Sequence, residues 1–142
     1  MSTTPPPSFF HLAFHVTDLD VAERFYVDVL GAVPGRRSAT WVDVSWLGHQ
    51  LSMHLGEPMA TANTGRVGDH AVPMPHFGLV LDMPTWTQMR DRLQSHGVAM
   101  VIEPHLRFAG EPGEQATLFF RDPFGNPIEI KGFADWAGVT AH

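Results

Sequence analysis

Apolar and polar residues alternate through HLAFHV, residues 11–16, with the two-residue period of a strand that buries one face. TDLD follows and supplies two N-cap candidates, Thr17 and Asp18. The period then changes: Ala22, Phe25, Tyr26, Val29 and Leu30 recur at helical spacing, and Gly31 stands where a left-handed C-terminal cap is wanted. ATWVDVSWL and QLSMHL, meeting at Gly48 and His49, read as a strand hairpin. Residues 60–75 are rich in turn formers and hold no sustained period, so they are expected to form a connector.

After the connector the same order returns. HFGLVL reads as a strand, and PTWTQMRDRLQSHG as a helix with Pro84 near its start, Trp86, Met89 and Leu93 inward and Gly97 at its end. VAMVIEP is a further strand. Beyond a polar loop at residues 107–115, ATLFFRD and PIEIKGF form a closing hairpin around PFGN. Laid over each other, the halves match Ala39-Thr40 with Ala116-Thr117 and Gly48 with Gly125, an ungapped spacing of 77 residues, while FHLAFHV lies over PHFGLVL at a spacing of 65. The shared order of elements makes duplication the better account of these few identities.

Composition narrows the chemistry. The chain of 142 residues carries 9 Lys and Arg against 15 Asp and Glu, a net charge of −6 that offers phosphate backbones no broad basic face, so nucleic acid is not an expected partner. There is no cysteine, which leaves histidine and carboxylate to hold any transition metal, and there are nine histidines. No apolar run reaches the roughly 18 residues of a membrane span. No membrane contact is expected, and the protein is read as cytoplasmic.

His11 and His15 share a strand face but stand roughly 13 Å apart at about 3.3 Å per residue, too far to ligate one ion from a regular strand. The overlay separates them: His11 falls on His76, His15 on Val80. Glu129, between Ile128 and Ile130, points away from both apolar neighbours, and if that face is a cavity the carboxylate needs a compensating partner. Lys131 on the same face is one candidate partner; a metal is another. Two imidazoles and a carboxylate, His11, His76 and Glu129, leave open coordination positions of the kind used by non-haem iron and other divalent catalytic sites. Against this stands the ordinary reading of a strand histidine as a hydrogen-bonded core or rim residue.

HLAFHVTDLDVAERFYVDVLG and FFRDPFGNPIEIK resemble the opening strand and helix, and the closing hairpin, of the vicinal oxygen chelate superfamily, which includes glyoxalase, bleomycin-resistance proteins, fosfomycin-resistance enzymes and extradiol dioxygenases. The resemblance implies an α+β fold of two tandem βαβββ modules forming a cupped mixed β-sheet, with helices outside, around a metal. The family's metal positions fall here on His11, Ser52, His76 and Glu129; serine is a poor ligand, so the set departs from the four-ligand glyoxalase pattern and is similar to the three-ligand extradiol dioxygenases. Those enzymes place a tyrosine ten residues before the ligand glutamate, where this chain has Phe119. His54, on the face of Ser52 and Gln50, resembles the position of a dioxygenase acid–base histidine and is the expected catalytic residue; an imidazole with a pKa near 6.5 moves protons at neutral pH. His15 is expected to be structural, and His49 and Gln50 are weaker candidates.

The expected organisation is a disordered tail over residues 1–8 and one domain over 9–142, with module one at 9–59, the connector at 60–75, module two at 76–133 and a C-terminal tail at 134–142. The expected function is a divalent-metal-dependent enzyme of the glyoxalase or dioxygenase type, acting on a small molecule that chelates the metal through neighbouring oxygens. Fe2+ is favoured, with Mn2+, Co2+, Ni2+ and Zn2+ as alternatives. A metal-free small-molecule binder of the bleomycin-resistance kind and a metal-dependent lyase or isomerase are the rivals. A homodimer is the expected assembly.

Overall fold

The computed structural model describes residues 8–141, and the expected N-terminal tail falls outside them except for Ser8. The chain divides after Met59 into two compact units. Unit one contains β1 (His11–Val16), α1 (Leu19–Arg24) with a π turn at Phe25–Val29, β2 (Val33–Arg37), β3 (Trp41–Trp46) and β4 (His49–Leu55). Unit two contains a hairpin of β5 (Ala62–Val67) and β6 (His70–Met74), then β7 (Phe77–Asp82), α2 (Met83–Ser95), β8 (Met100–Arg107), β9 (Gln115–Arg121) and β10 (Pro127–Phe133), and ends in a 3-10 turn at Trp136–Thr140. The four-stranded sheets have the orders β1-β4-β3-β2 and β7-β10-β9-β8, so each unit carries the same βαβββ module, as the resemblance implied.

Local chemistry explains the helix limits. Asp18, in extended backbone, accepts the Val21 N–H at 3.0 Å and caps α1. The far end closes on Gly31 at φ +77°, with Gly31 N–H donating to Val27 O and Ala32 N–H to Tyr26 O. The expected single α-helix instead widens after Arg24, where the Leu30 N–H reaches back five residues to Phe25 O. That turn carries the fully buried Tyr26, whose ring meets Phe14 and Phe25. Asp82 caps α2 through the Thr85 N–H at 2.8 Å, Pro84 sits in the first turn, and Gly97 follows the end at φ +68°.

Strand alternation assigns each sheet two faces. In unit one Phe14, Val16, Val42, Val44, Trp46, Leu51 and Met53 are buried on the helix side with Leu19, Ala22 and Tyr26. In unit two Leu81, Ala116, Leu118, Phe120, Ile128 and Ile130 are buried with Trp86, Met89 and Leu93, and the Trp86 indole donates to Ile130 O at 3.0 Å. The opposite faces carry Ser52 in unit one and Thr117 and Glu129 in unit two, where Phe119 is buried beside them.

The segment read as a connector is more ordered than its composition implied. Its β5–β6 hairpin turns at Gly68 and Asp69, and Val72 packs with Ile102 and Phe119 in a buried cluster. A short two-stranded ribbon whose buried residues, Val72 and Pro73, are adjacent and not alternating leaves little periodic signal, which is why the hydrophobic pattern missed it.

The register tests the proposed repeat. Leu12 pairs with Leu51 in the parallel β1–β4 ladder, and Phe77 with Ile128 in β7–β10, which reproduces both spacings of 65 and 77. The antiparallel hairpins depart from it: Asp43 faces Ser52, whereas Phe119 faces Glu129. The second hairpin therefore holds one more residue in its turn, and the match is not ungapped. Asp122 holds that longer turn, accepting from the Phe124 and Asn126 N–H groups at 2.9 Å.

Candidate metal centre

Glu129 occupies the polar face of β10 and is buried, 7% exposed, as the alternation with Ile128 and Ile130 required. Its Oε2 accepts the Thr117 hydroxyl at 2.7 Å, and its Oε1 stands 3.3 Å from His76 Nε2. Among the described residues the carboxylate makes no ion pair with Lys or Arg, so Lys131 does not neutralise it. Both residues line a pocket of about 210 Å³ with Gly78, Val80 and Lys131. Gly78 is fixed by close approach: a Cβ there would fall onto the Glu129 carbonyl oxygen.

His76 immediately precedes β7. Its Nδ1 donates to Pro73 O at 2.7 Å, and its ring lies nearly perpendicular to that of Phe119 at 5.0 Å between centroids. With Nδ1–H committed to a carbonyl, Nε2 is the atom turned to the Glu129 carboxylate, as a lone pair in the neutral ring or as an N–H in the imidazolium. Two acceptors at 3.3 Å need a proton or a cation between them. Two ligand atoms about 2.1 Å from one ion stand about 3.0 Å apart at a right angle and about 3.4 Å at the tetrahedral angle, so the pair fits a divalent metal. A backbone carbonyl fixing the distal N–H is also the usual support of a ligating histidine.

His11, at the start of β1 in unit one, is exposed, and its Nδ1 donates to Gln50 Oε1 at 2.8 Å. The same tautomer results, again leaving Nε2 as a lone-pair donor. Gln50, a weak candidate in the sequence, is thus the residue that orients His11. Within either unit, no group of three or more His, Asp or Glu among the described residues gathers at metal-binding separation; unit two by itself supplies His76 and Glu129.

The remaining sequence candidates fall in unit one. His54 is exposed on the polar face, paired across the ladder with His15 and with Trp41, whose ring centroid lies 6.5 Å away. His15 Nδ1 donates to Glu57 O at 3.2 Å and its ring lies against Gly56. His15, His54 and Glu57 line a cavity of about 450 Å³ with Ala13, Phe14 and Met59. His49 Nδ1 accepts the Phe10 N–H at 3.2 Å. Ser52, the repeat counterpart of Glu129, is buried and donates to Asp43 Oδ1 at 2.6 Å, so the carboxylate of this row in unit one sits on the neighbouring strand.

Sequence reasoning did not find Thr117 or Pro73. Thr117 faces Lys131 across the ladder, diagonal to Glu129, and a correct hairpin register would have revealed it. Pro73 acts through its backbone oxygen, which has no signature in the side-chain pattern.

Comparison with known proteins agrees with this architecture. The glyoxalase/bleomycin resistance protein/dioxygenase superfamily model matches residues 8–130. A glyoxalase/bleomycin resistance protein/dioxygenase from Alicyclobacillus acidocaldarius is 29% identical, with TM-score 0.76, covering 94% of this chain and 96% of that one. Lactoylglutathione lyase from Agrobacterium tumefaciens is 20% identical, TM-score 0.64, covering 94% and 98%, and shares the fold. So does the fosfomycin resistance protein FosX from Listeria monocytogenes, 16% identical, TM-score 0.63, covering 90% and 94%. No curated protein matches the chain. With the model spanning both modules, the chain belongs to the glyoxalase/bleomycin resistance protein/dioxygenase superfamily.

Proposed function

We propose that the protein is a divalent-metal-dependent enzyme acting on a small molecule with neighbouring oxygens, with His76, Glu129 and His11 as the metal ligands. The observation that carries this reading is His76 Nε2 at 3.3 Å from a buried Glu129 oxygen that, among the described residues, no Lys or Arg neutralises. His11 joins as third ligand because it is the repeat counterpart of His76 and holds the same tautomer. Bound there, Fe2+, or Mn2+, Co2+, Ni2+ or Zn2+, would supply Lewis-acid stabilisation of negative charge on a substrate oxygen.

The chain's own groups have distinct tasks. Thr117 holds Glu129 in one rotamer through a charge-assisted hydrogen bond, and Pro73 and Gln50 fix the two imidazoles. His54, exposed beside a cavity, is the proposed carrier of a substrate proton. Phe119 contributes an apolar ring against His76 and no hydroxyl, so substrate orientation falls to other groups. A lyase or isomerase would use the same ligands without oxygen, as the name of the A. tumefaciens neighbour suggests. A homodimer is the proposed assembly.

Elemental analysis of protein purified without chelator tests the reading, alongside His76→Ala. About one ion per chain in the wild type and a loss in the variant is expected; unchanged metal content in a folded variant rejects His76 as ligand. Oxygen consumption with a panel of catechols separates dioxygenase from lyase or isomerase. One specific contact favours a second reading: if the atom between Nε2 and Oε1 is a proton, the pair is a structural ion pair and the protein is a metal-free binder. Metal-free protein as purified would be its signature.

A further inference from the structure

We infer that unit two carries a second metal site, an imidazole pair made by His70 and His105, which takes a divalent ion of the zinc, nickel or copper kind and clamps the β5–β6 ribbon to β8. The site stands on unit two alone; only its consequence for His76 rests on the functional reading above.

His70 opens β6 and His105 lies in β8, strands of different sheets. Their ring centroids are 5.1 Å apart and their planes are inclined by 37°, between the offset stack and the T-shape that ring attraction favours. The spacing is that of two imidazoles on one ion. With metal–nitrogen bonds of about 2.1 Å and a ring centre about 1.2 Å beyond each nitrogen, the two centroids stand about 4.6 Å apart at a right angle and about 5.3 Å at the tetrahedral angle. His105 Nδ1 donates to Glu103 O at 2.8 Å, which fixes the ring and leaves Nε2 to bind. His70 makes no side-chain hydrogen bond or ion pair among the described residues, so either of its nitrogens is available. His70 is exposed and His105 half-buried, so an ion reaches both from solvent. No third His, Asp or Glu joins them among the described residues, and the other coordination positions fall to water. Such a site selects ions that imidazole suits, Zn2+, Ni2+ or Cu2+, over the oxygen-seeking Mg2+.

The pair has a mechanical consequence. The ribbon shares no ladder with β8 and leans on it through Val72, which packs with Ile102 and Phe119. The strand that begins at His70 continues to Pro73, whose carbonyl holds His76 Nδ1, and Phe119 lies against the His76 ring. An ion bridging His70 to His105 therefore tethers the strand that orients a proposed metal ligand, and links occupancy of the second site to order at the first.

The test uses the full chain, stripped with chelator that is then removed, and titrates Zn2+ into isotope-labelled protein with Mg2+ as the control cation, reading amide and imidazole shifts residue by residue. The expected result is saturable Zn2+ binding with shifts centred on His70, His105 and their strand neighbours, at least tenfold weaker Mg2+ binding there, and a tenfold or greater loss of Zn2+ affinity at these residues in His70→Gln and in His105→Gln. Zn2+ should also slow amide hydrogen exchange at Val72 and Met74 severalfold in the wild type and leave it unchanged in His105→Gln. No Zn2+ shifts at His70 and His105, equal affinity there in the wild type and either Gln variant, or equal binding of Mg2+ overturns the site; wild-type exchange that ignores Zn2+ overturns the clamp. Shifts at His76 and Glu129 are read separately in the same spectra, so failure of this site is distinguishable from failure of the His76 and Glu129 assignment.

Discussion

Replacing Glu129 by Gln separates the two meanings of the carboxylate, because its consequences for stability and for metal binding differ in sign. The isosteric amide keeps an oxygen to accept from Thr117, now at 2.7 Å from Glu129, and turns an NH2 group toward His76 Nε2, now 3.3 Å from a carboxylate oxygen. In metal-free protein the change removes a charge from a side chain only 8% exposed and converts an acceptor–acceptor contact into a hydrogen bond, a net gain of about 1 kcal/mol. Metal linkage works the other way: an ion at a hundredfold excess over its Kd stabilises the wild type by about 2.7 kcal/mol, or about 8 °C in Tm for a chain of this size. A neutral amide is a far weaker ligand, so the shift should vanish in the variant. Thermal melts of both proteins, with chelator and with added Fe2+ or Mn2+ under anaerobic conditions, read both quantities. A variant that keeps the full metal-dependent shift refutes Glu129 as a ligand. One that loses more than about 2 kcal/mol in chelator shows instead that the native pair is a stabilising imidazolium–carboxylate contact.

Other consequences are local. Trp86→Phe removes the indole bond to Ile130 O and should cost about 2–3 kcal/mol in urea unfolding; a loss under 0.5 kcal/mol, by the same rough scale, would mean the bond is replaced by solvent. Gly132→Ala puts a Cβ 2.7 Å from Trp86 Cβ and Cγ and should destabilise by about 1–3 kcal/mol, since the helix must lift from β10; an unchanged unfolding midpoint would contradict that packing. The Asp82 carboxyl is held below its ordinary value by the Thr85 hydroxyl and then by the Thr85 N–H. Its folded pKa lies below the unfolded one, so its contribution to α2 is complete above about pH 4 and is lost as pH falls through the lower folded value. An NMR titration should find Asp82 below 3.8, and Thr85→Ala should raise it; a midpoint at or above the model-compound value rejects the cap.

The duplication was legible because identical topologies impose identical hydrophobic periods, and His11 and His76 could be paired across it without coordinates. The facing of Glu129 followed from its two isoleucine neighbours alone. The hairpin register was not legible: Asp43 pairs with Ser52 and Phe119 with Glu129, a one-residue difference set by how Asp122 folds the second turn. Nor was the β5–β6 hairpin, whose adjacent buried residues Val72 and Pro73 make no periodic signal.

By itself the sequence determined the module order, an N-cap at Thr17 or Asp18, the C-terminal caps at Gly31 and Gly97, and the residue types available for a metal, since these depend on neighbours close along the chain. Only tertiary structure decided that His76 donates to Pro73 and turns Nε2 toward Glu129, that His11 donates to Gln50, and that Arg37 takes the carboxylates of α1. Those outcomes depend on the angle and distance between groups from different strands, quantities that alternation leaves free and that packing alone fixes.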